Sequence, residues 1–425
     1  MKIIKLGIIG LGTVGTSVVR IIQHNQQKIS ETSGCILQIK TIVVANLDKK
    51  RKIDLTGIHL TDKIDEVIQD DEIQIAIEVM GTIQPAKSYI EALLKSGKNV
   101  ITANKDLLAT QGSELIDQAH NNHVNLLYEA SVAGGIPILR TIANSFNADQ
   151  IVSVAGIVNG TSNYILTQMS ENHLSYQQAL DDAQALGLAE NDPTSDVSGN
   201  DAAYKMAILT QFAFGATVPF DKISVHGITN ITKSDIAQAQ KWGYVIKLIG
   251  QSKQVGDKMS VSVEPMFVRK KSPLAEIKNE NNSVMVTGSS VGEIMFYGAG
   301  AGELPTANSI LSDVIATVKD IQLHTAGVKF NSFTRATELA DPEERTNRYF
   351  LALSSVKASA KNIKVAELVT EHAERYSPES TSTKNTKAHL VCQTTPLTVK
   401  QANELKEQIK NSEDSQVDCF YPILD

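Results

Sequence analysis

Residues 2–15, KIIKLGIIGLGTVG, decide the fold of the first part of the chain. An apolar run typical of a buried strand leads directly into Gly10-Leu11-Gly12-Thr13-Val14-Gly15 and then into a helix-like segment. In this context the first glycine permits a tight turn, the second lets the backbone approach a pyrophosphate, and the third lets helix and strand pack closely. Because a helix N-terminus also attracts negative charge, the stretch predicts dinucleotide binding rather than a glycine-rich turn that binds nothing.

The pattern beyond the glycine turn extends the same unit. Short apolar runs, such as IQIAIEVMG at 73–81, alternate with helical stretches, such as PAKSYIEALLKSG at 85–97. Near-continuous apolar strands that alternate with helices indicate a parallel sheet covered on both faces. We therefore predict an α/β fold with a Rossmann-type, doubly wound parallel sheet, a nucleotide-binding domain over residues 1–147 that is rejoined by a helix at about 303–322.

The remainder of the chain has a different order of elements. Residues 148–302 contain helices first and strand-like alternation afterwards, which predicts an α+β domain. A mixed polar segment at 323–346 indicates a linker. Residues 347–425 follow the order strand, helix, strand, strand, helix, strand, which predicts a ferredoxin-like βαββαβ domain.

The composition excludes several classes of protein. The formal net charge of −7 argues against a nucleic-acid partner, which usually requires a basic stripe on the protein. Cys35, Cys392 and Cys419 are far apart and fit neither a zinc site nor a disulfide framework, which favours a reducing, cytoplasmic location. The sequence has no apolar run of about 18 residues, so no membrane span is expected. Small molecules and further copies of the chain are the expected partners.

An acidic segment ends on a single lysine. Residues 186–205, LGLAENDPTSDVSGNDAAYK, place four acidic residues on a loop that enters a helix. Asp201 and Lys205 are four residues apart and share a helix face. One interpretation is a capped helix start with one ion pair, which contributes only about 0.3–0.5 kcal/mol. The other is a tuned site, because Lys205 precedes an apolar run, MAILTQFAFG, that is typical of a buried helix.

The same segment resembles the signature of the homoserine dehydrogenase family, in which a Gly-x-Ala-Glu-x-Asp-Pro run leads to Asp-x-x-x-Lys. Four further matches follow the family's order: ITANKDLLA at 101–109, YEASVAGGIPIL at 128–139, GIVNGTSNYIL at 156–166 and GAGAGELPTA at 298–307. Together with the glycine turn these motifs span about 300 residues. The resemblance implies an NAD(P)-dependent oxidoreductase that interconverts L-aspartate 4-semialdehyde and L-homoserine in threonine, methionine and isoleucine biosynthesis.

The resemblance assigns the chemistry to two lysines. Hydride delivery to an aldehyde leaves negative charge on oxygen, which needs a proton or a fixed cation. Lys205 is implied as the general acid, and as the general base in the reverse direction. Lys105, at the carboxyl end of a predicted strand, is implied as a second cation at the reacting centre. The alternative for Lys105 is a surface lysine at a helix start.

Four residues are implied as substrate ligands. The ammonium group of the substrate explains the acidic residues Glu190, Asp196 and Asp201. Thr161, in the run Gly160-Thr161-Ser162-Asn163, is implied at a helix start whose backbone donors suit the substrate carboxylate. N-capping by Thr161 is the alternative, and it can coexist with binding.

The cofactor positions implied by the resemblance are the six residues of the glycine turn together with Thr82, Lys105 and Gly302. NADP(H) is expected to be preferred and NAD(H) to be accepted, because no acid closes the second predicted strand. Lys49 or Arg51 can hold a 2′-phosphate, whereas Asp48 can instead hold a ribose hydroxyl. A solvated charge run is the third interpretation of these residues.

The segment YEASVAGGIP at 128–137 resembles the monovalent-cation loop of the family. The implied Na+ ligands are the backbone carbonyls of Val132, Gly134 and Ile136 together with Glu129. Oxygen ligands suit a hard cation rather than zinc. The alternative is a glycine turn that joins sheet to helix. The resemblance also implies that residues 148–302 form the domain for catalysis, substrate binding and dimerisation. The expected assembly is a homodimer or a dimer of dimers.

The tail is similar in element order to an ACT domain, which often follows the catalytic part of this enzyme and binds a regulatory amino acid. The stretch that corresponds to the ACT ligand turn, SSVKASAKNIKVAEL at 354–368, lacks the usual Pro-Gly. Loss of the glycine hinders close backbone approach to a ligand. We therefore expect threonine to inhibit weakly or not at all.

Two other functions compete with this interpretation. A phosphorylating semialdehyde dehydrogenase needs a thiolate nucleophile, and none of the three cysteines is in a plausible position. A nicotinamide-sensing binding protein would have no need of Lys205 beside Glu190 and Asp196.

Overall fold

A computed structural model describes residues 1–355, 373–379, 389–411 and 415–424. The chain divides into two compact units, each assembled from several segments. Unit 1 comprises residues 1–154, 204–220 and 282–336. Unit 2 comprises residues 155–203, 221–281 and 337–425.

Strands and helices are numbered along the described chain. The strands are β1 (Lys2–Ile9), β2 (Cys35–Val43), β3 (His59–Thr61), β4 (Ile73–Glu78), β5 (Asn99–Thr102), β6 (Leu126–Leu127), β7 (Ile151–Ile157), β8 (Ser224–Val225), β9 (Tyr244–Val255), β10 (Lys258–Arg269), β11 (Asn281–Gly288), β12 (Gly292–Ala299), β13 (Thr346–Ser355), β14 (Ala373–Glu379), β15 (His389–Thr394), β16 (Leu397–Thr398) and β17 (Ser415–Leu424). The helices are α1 (Thr13–His24), α2 (Gln26–Ser33), α3 (Asp65–Ile68), α4 (Ala86–Lys95), α5 (Lys105–Asn121), α6 (Ile138–Ser145), α7 (Gly160–Glu171), α8 (Tyr176–Ala185), α9 (Thr194–Val197), α10 (Asn200–Phe214), α11 (Lys233–Lys241), α12 (Glu303–Leu323) and α13 (Val399–Lys410). Short 3-10 turns lie at Glu129–Ser131, Phe220–Lys222, Pro273–Glu276 and Pro342–Glu344.

The first six strands form one parallel sheet in unit 1, in the spatial order β3-β2-β1-β4-β5-β6. The order changes direction between β1 and β4. Doubly wound folds bind nucleotides at such a switch point, at the carboxyl ends of the strands. Ile8 and Ile9 of β1, whose side chains point to opposite faces of the sheet, are both buried, as expected for a strand covered on both faces. The prediction of a Rossmann-type, doubly wound sheet is confirmed.

Helix α12 packs into the core of unit 1. Its residues Ile310 and Val314 belong to one apolar cluster with Ile8 of β1 and Val18 of α1. The same cluster contains Leu11 of the glycine turn. The helical segment expected to rejoin the nucleotide-binding sheet therefore packs directly against it.

The glycine turn joins β1 to α1 through two close backbone approaches. Gly10 has a φ of +103°, in the left-handed region that favours glycine, and its N–H donates to the Val43 carbonyl at 2.9 Å. A Cβ at Gly15 would lie 2.3 Å from the carbonyl oxygen of Gly10, so α1 packs this closely only because residue 15 has no side chain. At Gly12, by contrast, a Cβ would meet nothing within 4 Å.

The strands of unit 2 follow the order β9-β10-β17-β13-β15-β14. Strands β9 and β10 form a long antiparallel hairpin that runs from the Tyr244–Arg269 pair to the Val255–Lys258 pair. Strand β17 is parallel to the end of β10 and antiparallel to β13, so the tail continues the sheet of this unit. Helices α7 and α11 pack against β9. This mixture agrees with the predicted α+β class.

The tail is described only in part. Its four longer strands are antiparallel neighbours in the order fourth, first, third, second, which is β17-β13-β15-β14. Leu405 and Ile409 of α13 pack on Leu351 and Leu353 of β13. The first helix predicted for the βαββαβ pattern, at 363–373, lies outside the described residues except for its last residue, which begins β14. The altered ligand turn lies outside them almost entirely.

Two further observations concern membrane-spanning helices and the cysteine thiols. Among the helices that the structure describes, none has both the length and the apolar character needed to cross a membrane. Cys35, Cys392 and Cys419 are buried free thiols. Burial raises the pKa of the Cys392 thiol to about 12 and also raises the pKa of Cys419, so neither supplies a thiolate at neutral pH.

Candidate active site

The N-terminus of α1 offers a cradle for a phosphate in unit 1. Gly12 precedes the helix without a side chain to cap it, and Thr16 N–H donates to the Gly12 carbonyl at 3.0 Å. The N–H groups of Thr13, Val14 and Gly15 precede the first bond of the helix and have no intrahelical acceptor. Gly12 and Thr13 are exposed, and the space beside Gly12 is open. The residues present therefore fit a dinucleotide pyrophosphate at this turn.

A chain of buried hydrogen bonds lies at the carboxyl edge of the same sheet. Glu78 is fully buried at the end of β4 and accepts from Thr102 Oγ1 at 2.6 Å. Asn104 caps α5 by accepting from the Leu107 N–H at 3.2 Å, and its Nδ2 donates to the Thr82 carbonyl at 2.6 Å. Burial raises the pKa of the Glu78 carboxyl, although its hydrogen bonds oppose the shift. This network fixes Thr82 and the start of α5.

The two implied catalytic lysines lie near the starts of two helices. Lys105 is the first residue of α5, its side chain is 32% exposed, and its Nζ lies 3.4 Å from Asp106. Lys205 is 9% exposed on α10, one turn after the buried Asp201. Farther along, α5 and α10 line a common cavity of about 50 Å³. Lys205 is thus a buried lysine with an acidic residue one turn before it on α10, whereas Lys105 begins α5 and is partly exposed.

Two exposed segments complete the implied cofactor positions. Arg51 donates from its guanidinium to the carbonyls of Asn46 and Lys49, both at 2.7 Å. Arg51 therefore braces the loop after β2, while the side chains of Asp48 and Lys49 are exposed. Gly302 directly precedes α12, is exposed and has a φ of +115°.

In unit 2, Asn159 joins two of the implied substrate ligands. Its amide nitrogen donates to Asp196 Oδ1 and to Asp201 Oδ2, both at 2.7 Å. Its amide oxygen accepts from the Ser162 N–H at 2.8 Å and so caps α7. Asn159 is 4% exposed, and every polar group of its amide is used. A neutral donor thus holds two carboxylates together.

Thr161 is tied to the acidic loop. Its Oγ1 donates to the Leu188 carbonyl at 2.7 Å. Thr161 is the second residue of α7 and Asn159 is the cap, so the alternative in which Thr161 caps this helix is wrong. Glu190 follows on the same loop, where its carbonyl accepts from Gln184 Nε2 at 3.0 Å and its side chain is exposed.

The first turn of α7 is also held by the loop at 277–281. Asn163 Nδ2 donates to three backbone carbonyls of this loop at 2.8–3.2 Å, and its Oδ1 accepts from Lys247 Nζ at 2.9 Å. A Cβ at Gly160 would lie 2.6 Å from a backbone oxygen of the same loop. The helix start that carries Asn159 and Thr161 is therefore fixed by buried contacts.

Two buried carboxylates face one guanidinium after β6 in unit 1. Glu129 is 1% exposed, and its carboxylate accepts from the N–H groups of Leu139 and Arg140 at 2.8 Å each. Asp313 is fully buried, accepts from the Glu129 N–H at 2.8 Å and pairs with the Arg140 guanidinium. Burial raises the pKa of both carboxyls, to about 7 for Asp313, and the Arg140 charge opposes the shift. The group contains one more acid than base.

The carbonyls implied as cation ligands lie in the same loop. Val132 and Ile136 are buried, and Gly134 has a φ of +48°. The Gly134 carbonyl accepts from Ser309 Oγ at 2.7 Å, and a carbonyl oxygen has a second lone pair. The loop therefore contains oxygen atoms of the kind that a hard cation prefers. Among the described residues, no group of three His, Cys, Asp or Glu side chains could hold a metal ion.

Two residues of these networks were not predicted from the sequence. Glu78 is the single acid in the apolar run IQIAIEVMG, and an acid that closes a buried strand at the carboxyl edge is a readable signal. Asn159 precedes Gly160-Thr161, and asparagine is a favoured N-cap residue, so its capping role was readable as well. The hydrogen bonds of Asn159 to the carboxylates of Asp196 and Asp201, 37 and 42 residues away, could not be read from the sequence.

These features define a class of protein. A six-stranded parallel sheet in this order, a glycine turn that opens α1 and a polar network at the adjoining strand ends are the arrangement of a nicotinamide-dinucleotide-dependent oxidoreductase.

Comparison with known proteins gives the family. Residues 10–129 match the family model described as "Homoserine dehydrogenase, NAD binding domain", and residues 137–315 match "Homoserine dehydrogenase". The homoserine dehydrogenases of Lactococcus lactis and Bacillus subtilis are 44% and 45% identical to this chain, over 86% and 83% of its length and 86% and 82% of theirs. A crystal structure of a homoserine dehydrogenase from Thiobacillus denitrificans superposes with a TM-score of 0.93 at 30% identity, covering 100% of this chain and 99% of that one. The chain belongs to the homoserine dehydrogenase family, NAD(P)-dependent oxidoreductases that interconvert L-aspartate 4-semialdehyde and L-homoserine.

We predict that Asn159→Ser raises the KM for homoserine by about tenfold or more, because a hydrogen bond to a charged group contributes roughly 1.5–3 kcal/mol. Serine still caps a helix, so α7 should remain folded, but one hydroxyl cannot hold two carboxylates. Steady-state kinetics and thermal unfolding separate the two effects. Asn172→Ala, at the exposed far end of α7, is the matched control and should leave KM unchanged. A loss of stability without a change in KM would contradict the positioning role of Asn159.

Proposed function

We propose that Lys205 is the general acid when this chain reduces L-aspartate 4-semialdehyde, and the general base when it oxidises L-homoserine. The bound nicotinamide supplies or accepts the hydride. Reduction leaves negative charge on the former aldehyde oxygen, and Lys205 neutralises that charge by donating a proton. The observation that carries this proposal is the burial of Lys205 one turn after Asp201 on α10. In a site with little water, a fixed cation stabilises the developing charge more strongly.

Lys105 is proposed as the second cation at the reacting oxygen. Its place at the start of α5, beside the Asn104 cap that the Glu78 network holds, supports a fixed position for its backbone. A cation that need not reorganise during the reaction is the effective kind of electrostatic catalyst.

We propose that different residues bind the two charged groups of the substrate. Asp196 and Asp201, held together by Asn159, bind the ammonium group with Glu190. The backbone N–H groups at the start of α7, next to Thr161, bind the carboxylate, as a helix N-terminus favours. Because Asp201 and Lys205 share one helix, substrate binding and proton transfer depend on the same element.

We predict that Lys205→Met lowers kcat by about 100- to 10,000-fold, the usual contribution of a general acid or base. The affinity for NADPH should change by less than about twofold, since Lys205 is not part of the glycine turn. Turnover and fluorescence titration with NADPH measure the two quantities. Lys222→Met, an exposed lysine, is the control and should behave as the parent does. Near-normal turnover of the Lys205→Met variant would show that Lys205 is not the general acid or base.

We further propose that NADP(H) is preferred and NAD(H) accepted. Strand β2 ends at Val43, and Val44-Ala45-Asn46 follows, so no acid stands where one would bind a ribose hydroxyl. Of the two basic candidates, Arg51 is engaged with backbone carbonyls and Lys49 is exposed. Lys49 is therefore the better partner for a 2′-phosphate.

We predict that Lys49→Ala raises the KM for NADPH by roughly tenfold, the effect of losing one charge-assisted hydrogen bond, and leaves the KM for NADH almost unchanged. Arg51→Ala should instead affect both cofactors alike, because it removes a brace of the loop. Parallel kinetics with the two cofactors measure the difference. If Lys49→Ala changes both KM values equally, the charge run is merely solvated.

A monovalent cation such as Na+ is proposed at the loop of Glu129, Val132, Gly134 and Ile136. Its support is the buried group of Glu129, Asp313 and Arg140, in which burial raises the pKa of both carboxyls. A bound cation would favour the ionised carboxylates and lower the cost of burying them. Replacing Na+ by choline at constant ionic strength should lower both Tm and turnover.

A homodimer, or a dimer of dimers, is proposed as the assembly. Strand β12 lies at one end of its sheet, and Val291, Ile294 and Tyr297 in or next to it are 52%, 37% and 58% exposed. An edge strand with exposed apolar side chains is suited to pair with another chain. Sedimentation velocity measures the assembly directly.

The remaining proposals concern the tail, the domain boundaries, the cellular location and the pathway. The strand order of residues 347–425 supports a ferredoxin-like, ACT-like domain, and the division into domains at 147, 302, 323 and 347 stays a prediction. The buried free thiols agree with a cytoplasmic location. Because the product is homoserine, we place the enzyme in threonine, methionine and isoleucine biosynthesis, with neither a nucleic acid nor a membrane as partner.

A further inference from the structure

A second cavity lies in unit 2, away from the acidic loop that carries Glu190. Its volume is about 230 Å³. It is bordered by α7, by β9, by Gln240 of α11 and by the segment at 270–278. Drug-sized ligands occupy roughly 300–1,000 Å³, so this space suits a molecule of amino-acid size.

The charged residues around the cavity are not all paired with each other. Lys278 and Glu171 form an ion pair at 2.7 Å. Lys247, 4% exposed, donates to two neutral oxygens, Asn163 Oδ1 at 2.9 Å and the Ile277 carbonyl. An ammonium group has three donors, so one donor of Lys247 remains for a ligand.

Two other charges border the same space. Lys270 is exposed and donates to a neutral oxygen, the Gln240 carbonyl, at 3.4 Å. Glu276 is an exposed carboxylate on the same segment. Beyond the Lys278–Glu171 pair, the lining therefore offers two ammonium groups and one carboxylate. A ligand with two carboxylates and one ammonium group is complementary to this set.

We propose that this cavity binds a small acidic amino acid, with one carboxylate on Lys247, the other on Lys270, and its ammonium group on Glu276. A buried ammonium group that lacks an anionic partner carries a desolvation cost, and a bound carboxylate offsets that cost. The inference concerns a site separate from the residues assigned to homoserine.

Binding here is expected to reach the substrate residues through α7. Lys247 bonds to Asn163, and Asn163 lies in the first turn of the helix that Asn159 caps. A ligand that changes the position of the Lys247 ammonium therefore acts on the start of α7. This second half of the proposal rests on the substrate-binding role proposed above for Asn159 and Thr161, whereas the binding half does not.

The probe is L-glutamate, added to the intact protein and followed by isothermal titration calorimetry. We expect saturable binding that persists with saturating homoserine, which shows that the probe does not occupy the substrate site. Lys270→Met should weaken binding by about fivefold or more and Lys247→Met by about tenfold or more. Glu276→Gln should weaken glutamate but not glutarate, which lacks the ammonium group. Lys271→Met is the matched control, an exposed lysine that does not line the cavity, and should bind as the parent does.

A proton signature tests the contact with Lys247. Burial lowers the pKa of Lys247 to about 8, while Glu171 and Glu276 oppose the shift and Lys278 adds to it; Lys270 also lines the cavity. A carboxylate placed on the ammonium favours its charged form and raises that pKa. Glutamate binding at pH 8 should therefore take up a fraction of a proton. Titrations in two buffers of different ionisation heat measure the uptake, and Lys247→Met should abolish it.

The outcomes separate clearly. Absence of heat with glutamate at tens of millimolar, loss of binding with saturating homoserine, or equal weakening by Lys270→Met and Lys271→Met would each overturn the site. Binding without proton uptake would show that Lys247 does not hold the carboxylate.

Glutamate should also change the KM for homoserine by at least about twofold, a small coupling on the usual scale. Binding without a change in KM would overturn the coupling alone, and the roles of Lys205 and Asn159 are judged by their own variants.

Discussion

The close approach of α1 to β1 positions the nucleotide-binding end of unit 1. It exists because residue 15 is glycine, since any Cβ there would lie 2.3 Å from the Gly10 carbonyl oxygen. With the helix seated so closely, its N-terminal N–H groups lie at the carboxyl edge of the sheet. The same edge contains the buried bond between Glu78 and Thr102. The absence of a side chain at residue 15 thus allows the phosphate-binding start of α1 to lie beside the polar residues at the strand ends.

Buried polar groups impose the second constraint, because each must find a hydrogen-bond partner or destabilise the fold. Asn159 meets that requirement for the helix start and for two carboxylates at once. Because its amide is neutral, Asn159 holds the two carboxylates together without placing a positive charge between them. In the loop after β6 the arrangement is different, since the Arg140 guanidinium pairs directly with one of two buried acids.

The sequence was informative wherever the determinant is local. The glycine turn and the apolar strands of unit 1 are contiguous patterns, and they predicted the parallel sheet of the nucleotide-binding part. Strand β3 has only three residues, too few for a periodic signal, and β9 is interrupted by the buried Lys247. The double role of Asn159 and the bracing role of Arg51 depend on partners and loop geometry that no local pattern contains.

Lys205 and Lys247 show why burial alone does not identify a catalytic lysine. They are 9% and 4% exposed, so a search for buried lysines would rank Lys247 ahead of Lys205. Lys247 donates to oxygens of the neutral Asn163 amide and the Ile277 backbone, which tie α7 to a neighbouring loop and leave the ammonium without an anion. Lys205 follows Asp201 by one helical turn, and Asp201 is held by the same amide that holds Asp196. In the proposed mechanism, the Lys205 ammonium group exchanges its proton with the substrate oxygen. A lysine surrounded by neutral acceptors is instead suited to receive an anion.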